Sequence, residues 1–413
     1  MNSGKKILLF EGELIGGKGH HYDQLVENSL YYKNRGQIFW IVNKNFKNNN
    51  LFIPNFVKII NEIDTAKRKI SFKNIYLLPK IFFLSIKNFF ISYYLIFFKI
   101  SLNKSIISYI LSNFFTFPKY FSSFCKLLNK LNLNEHDRII FQTARINEID
   151  LAYLLVLLKY KPQIHLRIML LHRKKKLKKF NSLKKKLNSK KYLFNKIFIY
   201  TETNFQKQQI KKYTDIDLEL FYNNLSFSSK KYNKEKFTIG ILGESRLDKG
   251  FNKVPELIEI LNNKVYEKVN FLFQINNCSE NLLETKNQLL KLSKKYKNIT
   301  IFNGYINFYQ FKDLLKNVDI IPLLHSLDQL KYSGSGLVFS SIVNEIPLII
   351  PKNAIYVKNF FKYQSYLEAD NIIDYSQSII KIIENYEYYL GMAKKQSLVF
   401  KSNIKEDPIN KRI

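Results

Sequence analysis

The sequence predicts an α/β protein built of two Rossmann-like domains facing each other across a cleft. Short apolar runs rich in Ile, Leu, Val and Phe alternate with helical patterns along most of the chain. The alternation pauses in a polar stretch over 223–236, NNLSFSSKKYNKEK, and restarts cleanly after it. The length of 413 residues suits two to three domains at roughly 150 residues each. In open parallel sheets ligands sit beyond the carboxyl ends of the strands, so the cleft is the expected site.

In chain order, 5–10 (KKILLF) reads as a short buried strand. The Gly-rich loop EGELIGGKGHH follows, then a helix over about 22–33. Strands are expected at 37–42 and 56–60. Residues 66–131 are basic, aromatic and helical in pattern, and read as an insertion in the first domain. Within it, 81–98 (IFFLSIKNFFISYYLIFF) is nearly long enough to span a bilayer, but Lys87 and Asn88 sit near its middle. A polar stripe of Ser85, Asn88, Ser92 and Lys99 fits either a packed helix or an interfacial one. Strand patterns return at 138–142, 164–171 and 196–200, and the basic run 173–191 reads as a solvated loop. The first domain is placed at 1–228 and the second at 229–413. In the second, strands are expected at 237–242, 269–275, 299–302, 318–323 and 347–350. Helices are expected at 253–261, 280–296, 308–316 and 336–343, with one long helix over 376–402 closing the chain.

Composition narrows the function. Hydrophobic residues make up 46% of the chain and aromatics 15%, which is globular rather than disordered. Two distant cysteines, Cys125 and Cys278, exclude a disulfide framework and a multi-cysteine metal site, and suit a reducing compartment. Lys5-Lys6 is followed by only four apolar residues before Glu11, too few for a signal peptide. The expected location is the cytoplasm, with attachment at the inner face of the membrane. Lys and Arg number 66 against 33 Asp and Glu, a net charge of +33 that invites an anionic partner. Aromatic–Arg interleaving of the RNA-binding kind is absent, so anionic lipid head groups are the better match than nucleic acid.

Two loops carry the chemistry. Gly243-Glu244-Ser245-Arg246-Leu247-Asp248-Lys249-Gly250 follows the strand at 237–242. Arg246 offers a bidentate fork to phosphate and Lys249 a compact point charge, while Gly243 lets backbone approach a ligand. A surface loop with chance charges is the alternative. Lys331-Tyr332-Ser333-Gly334-Ser335-Gly336 opens the helix at 336–343. Backbone N–H groups there, with the serine hydroxyls, form an anion cradle, or else the serines merely cap the helix. In the first domain, Gly17 and Gly19 precede His20 and His21 at a helix start. Either histidine could hydrogen-bond or deprotonate an acceptor hydroxyl, or serve only in capping and packing.

The series GILGESRLDKGFNKVPELI, VNFLFQI, ITIFNGYINFYQFKDLLKNVDIIPLL and YSGSGLVFSSIVNEIPLIIP, in this order, resembles the donor domain of retaining GT-B glycosyltransferases of the group 1 type. The resemblance covers 238–351, a little over a quarter of the chain, and its strength lies in the order of the segments. It implies that Arg246 and Lys249 clamp the diphosphate of a nucleotide-sugar donor. It places Ser333, Gly334, Ser335 and Gly336 against the distal phosphate and sugar, and Tyr305 and Ile306 against the nucleobase. The Gly17–Gly19 loop, more weakly, matches the acceptor-side loop. The implied reaction is sugar transfer to a hydroxyl acceptor, retaining in the family's manner, with no metal and no cofactor beyond the donor. The implied setting is cell-surface glycan or glycolipid synthesis. The family's two glutamates would fall at Tyr332 and Ser340, and both are missing. That departure supports a second reading, a non-catalytic sugar-nucleotide-binding relative.

Two further motifs compete. Gly12-x4-Gly17-Lys18-Gly19 approaches a P-loop, but Gly19 stands where the Mg²⁺-binding hydroxyl belongs. Asp215-Ile216-Asp217 is a formal DxD in front of an expected strand, and a three-letter match is frequent by chance.

Overall fold

The computed structural model describes residues 4–12, 14–15, 20–47, 51–63, 121–157, 160–168, 196–211, 218–227, 235–276, 278–330 and 335–413. Most of the expected insertion, the basic run and the DxD lie outside these residues. The chain divides into two compact units. The first comprises Met1–Glu202, Lys207–Asn224 and Lys411–Ile413, and the second Thr203–Gln206 and Leu225–Asn410. The polar stretch read as a linker begins at the first unit's last long segment. The final three residues, placed with the second domain by sequence, belong to the first unit.

The first unit is a seven-stranded parallel sheet. Its strands are β1 (Lys6–Glu11), β2 (Gln37–Asn43), β3 (Val57–Ile63), β4 (Arg138–Phe141), β5 (Gln163–Ile168), β6 (Ile197–Thr201) and β7 (Glu219–Leu220). Their order is β3-β2-β1-β4-β5-β6-β7. The near-continuous apolar runs fit this architecture, since parallel strands are covered on both faces. Helices Phe121–Leu131 and Ile146–Leu157 contribute Phe124, Leu128, Leu151 and Leu155 to one core with Leu8, Phe10, Ile139 and Phe141. The chain leaves β1 toward β3, then returns to β4 on β1's other side. This reversal opens a gap at the carboxyl ends of β1 and β4.

The C-terminal residues pin the opposite region of this unit. Arg412 makes a bidentate pair with Glu219 at 2.8 and 2.9 Å, and its guanidinium lies 4.4 Å from the Phe198 ring centroid. The Arg138 side chain donates to the Arg412 carbonyl at 2.9 Å.

The second unit holds β8 (Phe237–Ile241), β9 (Val269–Ile275) and β10 (Ile299–Asn303) in the order β10-β9-β8. It also holds β11 (Ile321–Pro322), β12 (Leu348–Pro351) and β13 (Tyr366–Ala369) in that order. A parallel bridge, Ile239 to Ile320, joins β8 to the approach to β11. The Gly240 N–H donates to the Ile320 carbonyl at 2.9 Å and the Asp319 N–H to the Thr238 carbonyl at 2.7 Å. The Asp319 carboxylate also accepts from the Thr238 N–H at 2.8 Å. Gly240 has a steric reason: a Cβ there would stand 2.6 Å from the Val318 methyls. Strand order therefore reverses between β8 and β11, as it does between β1 and β4.

Several elements differ from the sequence reading. β7 and β13, two and four residues long, carry too little pattern to be seen. The strand expected over 318–323 is only Ile321–Pro322. The long terminal helix is two, Ile372–Glu384 and Tyr386–Lys405, broken at Asn385. That residue leaves helical geometry at φ −123° and ψ 35°, and its side-chain amide donates to the Lys381 carbonyl. Asn favours such local bonds to backbone, which is why it ends helices. Among the described residues no helix is long and apolar enough to cross a membrane.

Candidate functional sites at the two strand-order reversals

At the reversal in the second unit, the loop after β8 turns back on itself. Gly250 adopts φ +73°, and a Cβ there would lie 2.1 Å from the Leu324 carbonyl oxygen, so only glycine lets the two segments meet. The Ser326 N–H donates to the Asp248 carbonyl at 2.9 Å, a second tie between the same segments. The Gln274 side chain accepts from the Gly243 N–H and donates to the Gly304 carbonyl, both at 3.0 Å. Ser245 bonds both ways with the Asn276 backbone, at 2.7 and 3.0 Å. The loops leaving β8, β9 and β10 are thus stitched into one edge. Tyr305 and Ile306 follow Gly304 on that edge, with Tyr305 about one-third exposed.

Arg246 is not an isolated cation. Its guanidinium meets Asp248 through two nitrogens and Glu244 at 2.9 Å. Hydrogen bonding to Asp248 raises the Arg246 pKa above its ordinary value, and the same bond lowers the Asp248 carboxyl. The Lys249 ammonium lies 3.8 Å from Glu244. Burial pulls its pKa down, with repulsion from Arg246 in the same direction. Reading Arg246 and Lys249 by residue type left out Glu244 and Asp248, which balance them.

His325 is a residue that sequence reasoning missed. It follows β11 and its side chain is buried, 6% exposed. Among the described residues neither ring nitrogen has a hydrogen-bond partner. Burial, with the Lys249 charge next, pushes its pKa down to about 4. Behind it, the Tyr375 hydroxyl donates to the Leu323 carbonyl at 2.6 Å and fixes the end of the strand. Further along this unit, Ser335 caps the helix Gly336–Val343, its hydroxyl accepting from the Leu337 N–H at 3.4 Å. Ser333 and Gly334 lie outside the described residues.

At the reversal in the first unit, Glu11 ends β1 and is 3% exposed. Its carboxylate lies 3.3 Å from His21 Nδ1. The Thr143 hydroxyl, just past β4, lies 3.2 Å from the same nitrogen. His20 opens the helix His20–Tyr32; its side chain lies outside the described residues, as do Gly17 and Gly19. A buried polar cluster anchors that helix to the sheet. Arg167 donates to Gln142 at 2.5 Å and to Asn223, and lies 4.2 Å over the Phe221 ring. Asn28 donates to Gln142 at 2.9 Å and Asn224 to Asn28 at 2.8 Å. Glu11 and Thr143 join His21 only through the β1–β4 reversal, so their spacing in sequence carried no signal. Thr203 acts as a helix cap, its hydroxyl accepting from the Gln206 N–H at 3.1 Å. Among the described residues no cluster of three His, Cys, Asp or Glu is placed to hold a metal.

No protein-family model matches the chain, and no curated protein matches it. Solved structures match it over nearly its full length, and the fold they share is GT-B, the architecture of a large class of glycosyltransferases. TarM matches with a TM-score of 0.58 and 12% identity over 97% of this chain and 95% of its own. A TarM variant from S. aureus in complex with fondaparinux, α-GlcNAc-glycerol and UDP matches at 0.60 and 12%, over 98% and 97%. Sucrose-phosphate synthase from Thermosynechococcus elongatus matches at 0.57 and 9%, over 97% and 95%. At these identities the likeness is one of fold.

The His325 environment has a pH consequence. Its folded pKa lies below the unfolded value, so the unfolded chain binds the proton more readily. The stability it contributes is complete above about pH 6.5 and is lost as pH falls toward 4. A drop from 6.5 to about 4 corresponds to roughly 3 kcal/mol. Urea unfolding at pH 7 and pH 4.5 is expected to show a smaller loss on acidification in His325→Gln than in wild type. Equal losses would contradict this environment.

Proposed function

We propose that this protein transfers a sugar from a nucleotide-diphosphate sugar to a hydroxyl acceptor. The observation that carries the reading is the loop Gly243–Gly250, with Arg246 and Lys249, at the strand-order reversal of the second unit in a GT-B fold. The TarM complex with UDP supports a diphosphate donor by fold likeness.

In this reading the glycosidic C–O bond breaks and its electron pair stays on the leaving diphosphate. Arg246 and Lys249 neutralise that charge, joined by the N–H groups of Ser335 and Gly336 at the helix start. The diphosphate exchanges with Glu244 and Asp248 for the two cations. The base lies against Tyr305 and Ile306, and Ser333 and Gly334 approach the sugar. The Gly17–Gly19 loop and His20 serve the acceptor side. There His21, steadied at Nδ1 by Glu11, takes the proton of the acceptor hydroxyl on its other ring nitrogen as the acceptor oxygen forms the new C–O bond. With two cations at the leaving group, the reaction needs no metal, and retention of configuration follows from the family resemblance. The acceptor is a glycan or lipid-linked saccharide in cell-surface synthesis, and the basic chain works at the cytoplasmic face of an anionic membrane. Ser340, where a glutamate is usual, favours a second reading of a non-catalytic sugar-nucleotide binder; turnover separates the two.

Three measurements follow. A thermal-shift screen with UDP, GDP, ADP, CMP and TDP is expected to raise the melting temperature by about 5 °C with one diphosphate at a hundredfold excess over its Kd. Arg246→Ala with Lys249→Ala should abolish the shift, and a shift that survives both changes would sink the clamp. With a donor in hand, His21→Ala should cut turnover by at least ~100-fold, while Glu11→Gln should cost less; unchanged turnover in His21→Ala would remove it from the acceptor site. Finally, the protein should sediment with phosphatidylserine liposomes at about 150 mM salt and release at high salt. Failure to sediment would end the membrane-surface assignment.

A further inference from the structure

His325 has a place and a chemistry that the diphosphate clamp alone does not use. It stands at the carboxyl end of β11, across the strand-order reversal from the loop that follows β8. Two contacts fold these segments together. The Ser326 N–H bonds the Asp248 carbonyl, and Leu324 fills the space beside Gly250 that any Cβ would claim. The charged groups acting on the ring are Lys249, Asp248 and Arg246, the groups of that same loop.

The ring is 6% exposed, and both of its nitrogens lack a partner among the described residues. A buried polar atom left unpaired carries a cost of about 1–3 kcal/mol. Phe or Leu would fill the same volume without it. Beside two cations the imidazole stays uncharged, with one N–H to give and one lone pair to accept. An uncharged N–H set beside an anion-binding loop adds direction to the site without adding charge.

We propose that His325 is a third ligand group of this site, its ring N–H donating to a phosphate oxygen of the nucleoside diphosphate. The inference rests on the donor-site reading of Arg246 and Lys249. In this arrangement the two cations supply attraction, and His325 supplies a fixed donor that orients the diphosphate in the crevice between β8 and β11. It is a positioning and binding residue rather than a proton carrier.

The two roles separate by salt. Attraction from partly exposed cations is screened by ions, whereas a hydrogen bond from a buried uncharged donor is not. Binding of UDP, GDP, ADP and inorganic pyrophosphate would be measured calorimetrically at low and high salt on wild type, Arg246→Ala, His325→Phe and His325→Gln. Melting curves and circular dichroism would establish that each variant folds. Expected is a loss of about 10-fold or more in His325→Phe with the salt dependence of wild type kept, and recovery to within a few-fold in His325→Gln, whose amide retains an N–H. Arg246→Ala should instead flatten the salt dependence. Wild-type affinity in folded His325→Phe, with Arg246→Ala weakened, would overturn the role of His325 and leave the donor site standing. No binding by wild type would overturn both. Should His325→Phe not fold, ring-nitrogen spectra of ¹⁵N-histidine-labelled wild type keep the proposal testable. The resonances of one uncharged imidazole must move when the bound diphosphate is added, and their constancy would refute it.

Discussion

The narrow seam between β8 and the approach to β11 is the constraint on which the second unit depends. Its close approach is set by Gly240, where a side chain would collide with Val318, and by Asp319, which bonds Thr238 through both backbone and carboxylate. Because the chain reaches these neighbours by opposite routes, helices leave the two strand ends in different directions. A crevice remains between them. The loop carrying Arg246 and Lys249 fills one side of that crevice and His325 the other. Widening the seam by one methyl group would move both.

The electrostatics of the molecule differ between scales. The whole chain carries +33, which acts at long range and is screened within about 10 Å at ordinary ionic strength. The β8 loop is locally balanced, with two cations facing two carboxylates. On the proposed donor-site reading, an anion would bind by exchange, a diphosphate replacing the carboxylates that hold the cations in place. The burial of Lys249 matters here, because a partly desolvated ammonium gains more from an incoming anion than an exposed one does.

The first unit anchors a helix with a buried polar network gathered around one cation, Arg167. Its helix His20–Tyr32 must hold His21 over the β1–β4 gap, and Gln142, Asn28, Asn223 and Asn224 form a chain of hydrogen bonds around Arg167 beneath it. Such a network is costly when incomplete and rigid when satisfied. It fixes the helix while Glu11 and Thr143 orient the imidazole ring.

Much of this was legible in the amino-acid sequence. Runs such as ILLF, FWIV, VNFLFQI and PLII declare buried parallel strands, because only strands covered on both faces are apolar throughout. The β8 loop announced itself by Gly, Arg and Lys placed after such a strand. Local chemistry determined these features, and they survive being read one segment at a time. β7 and β13 escaped because two to four residues hold no period. Asn385 broke a continuous helical pattern through backbone bonding that apolar spacing does not record. Glu11 read only as the polar stop of an apolar run, and His325 belonged to no motif that the sequence displayed. Their meaning depends on distance in space: Glu11 meets His21 and Thr143, and His325 meets residues 246–250, only after each sheet reverses its strand order. Burial, pairing and loss of pairing are properties of that packing, so the tertiary structure alone decided them.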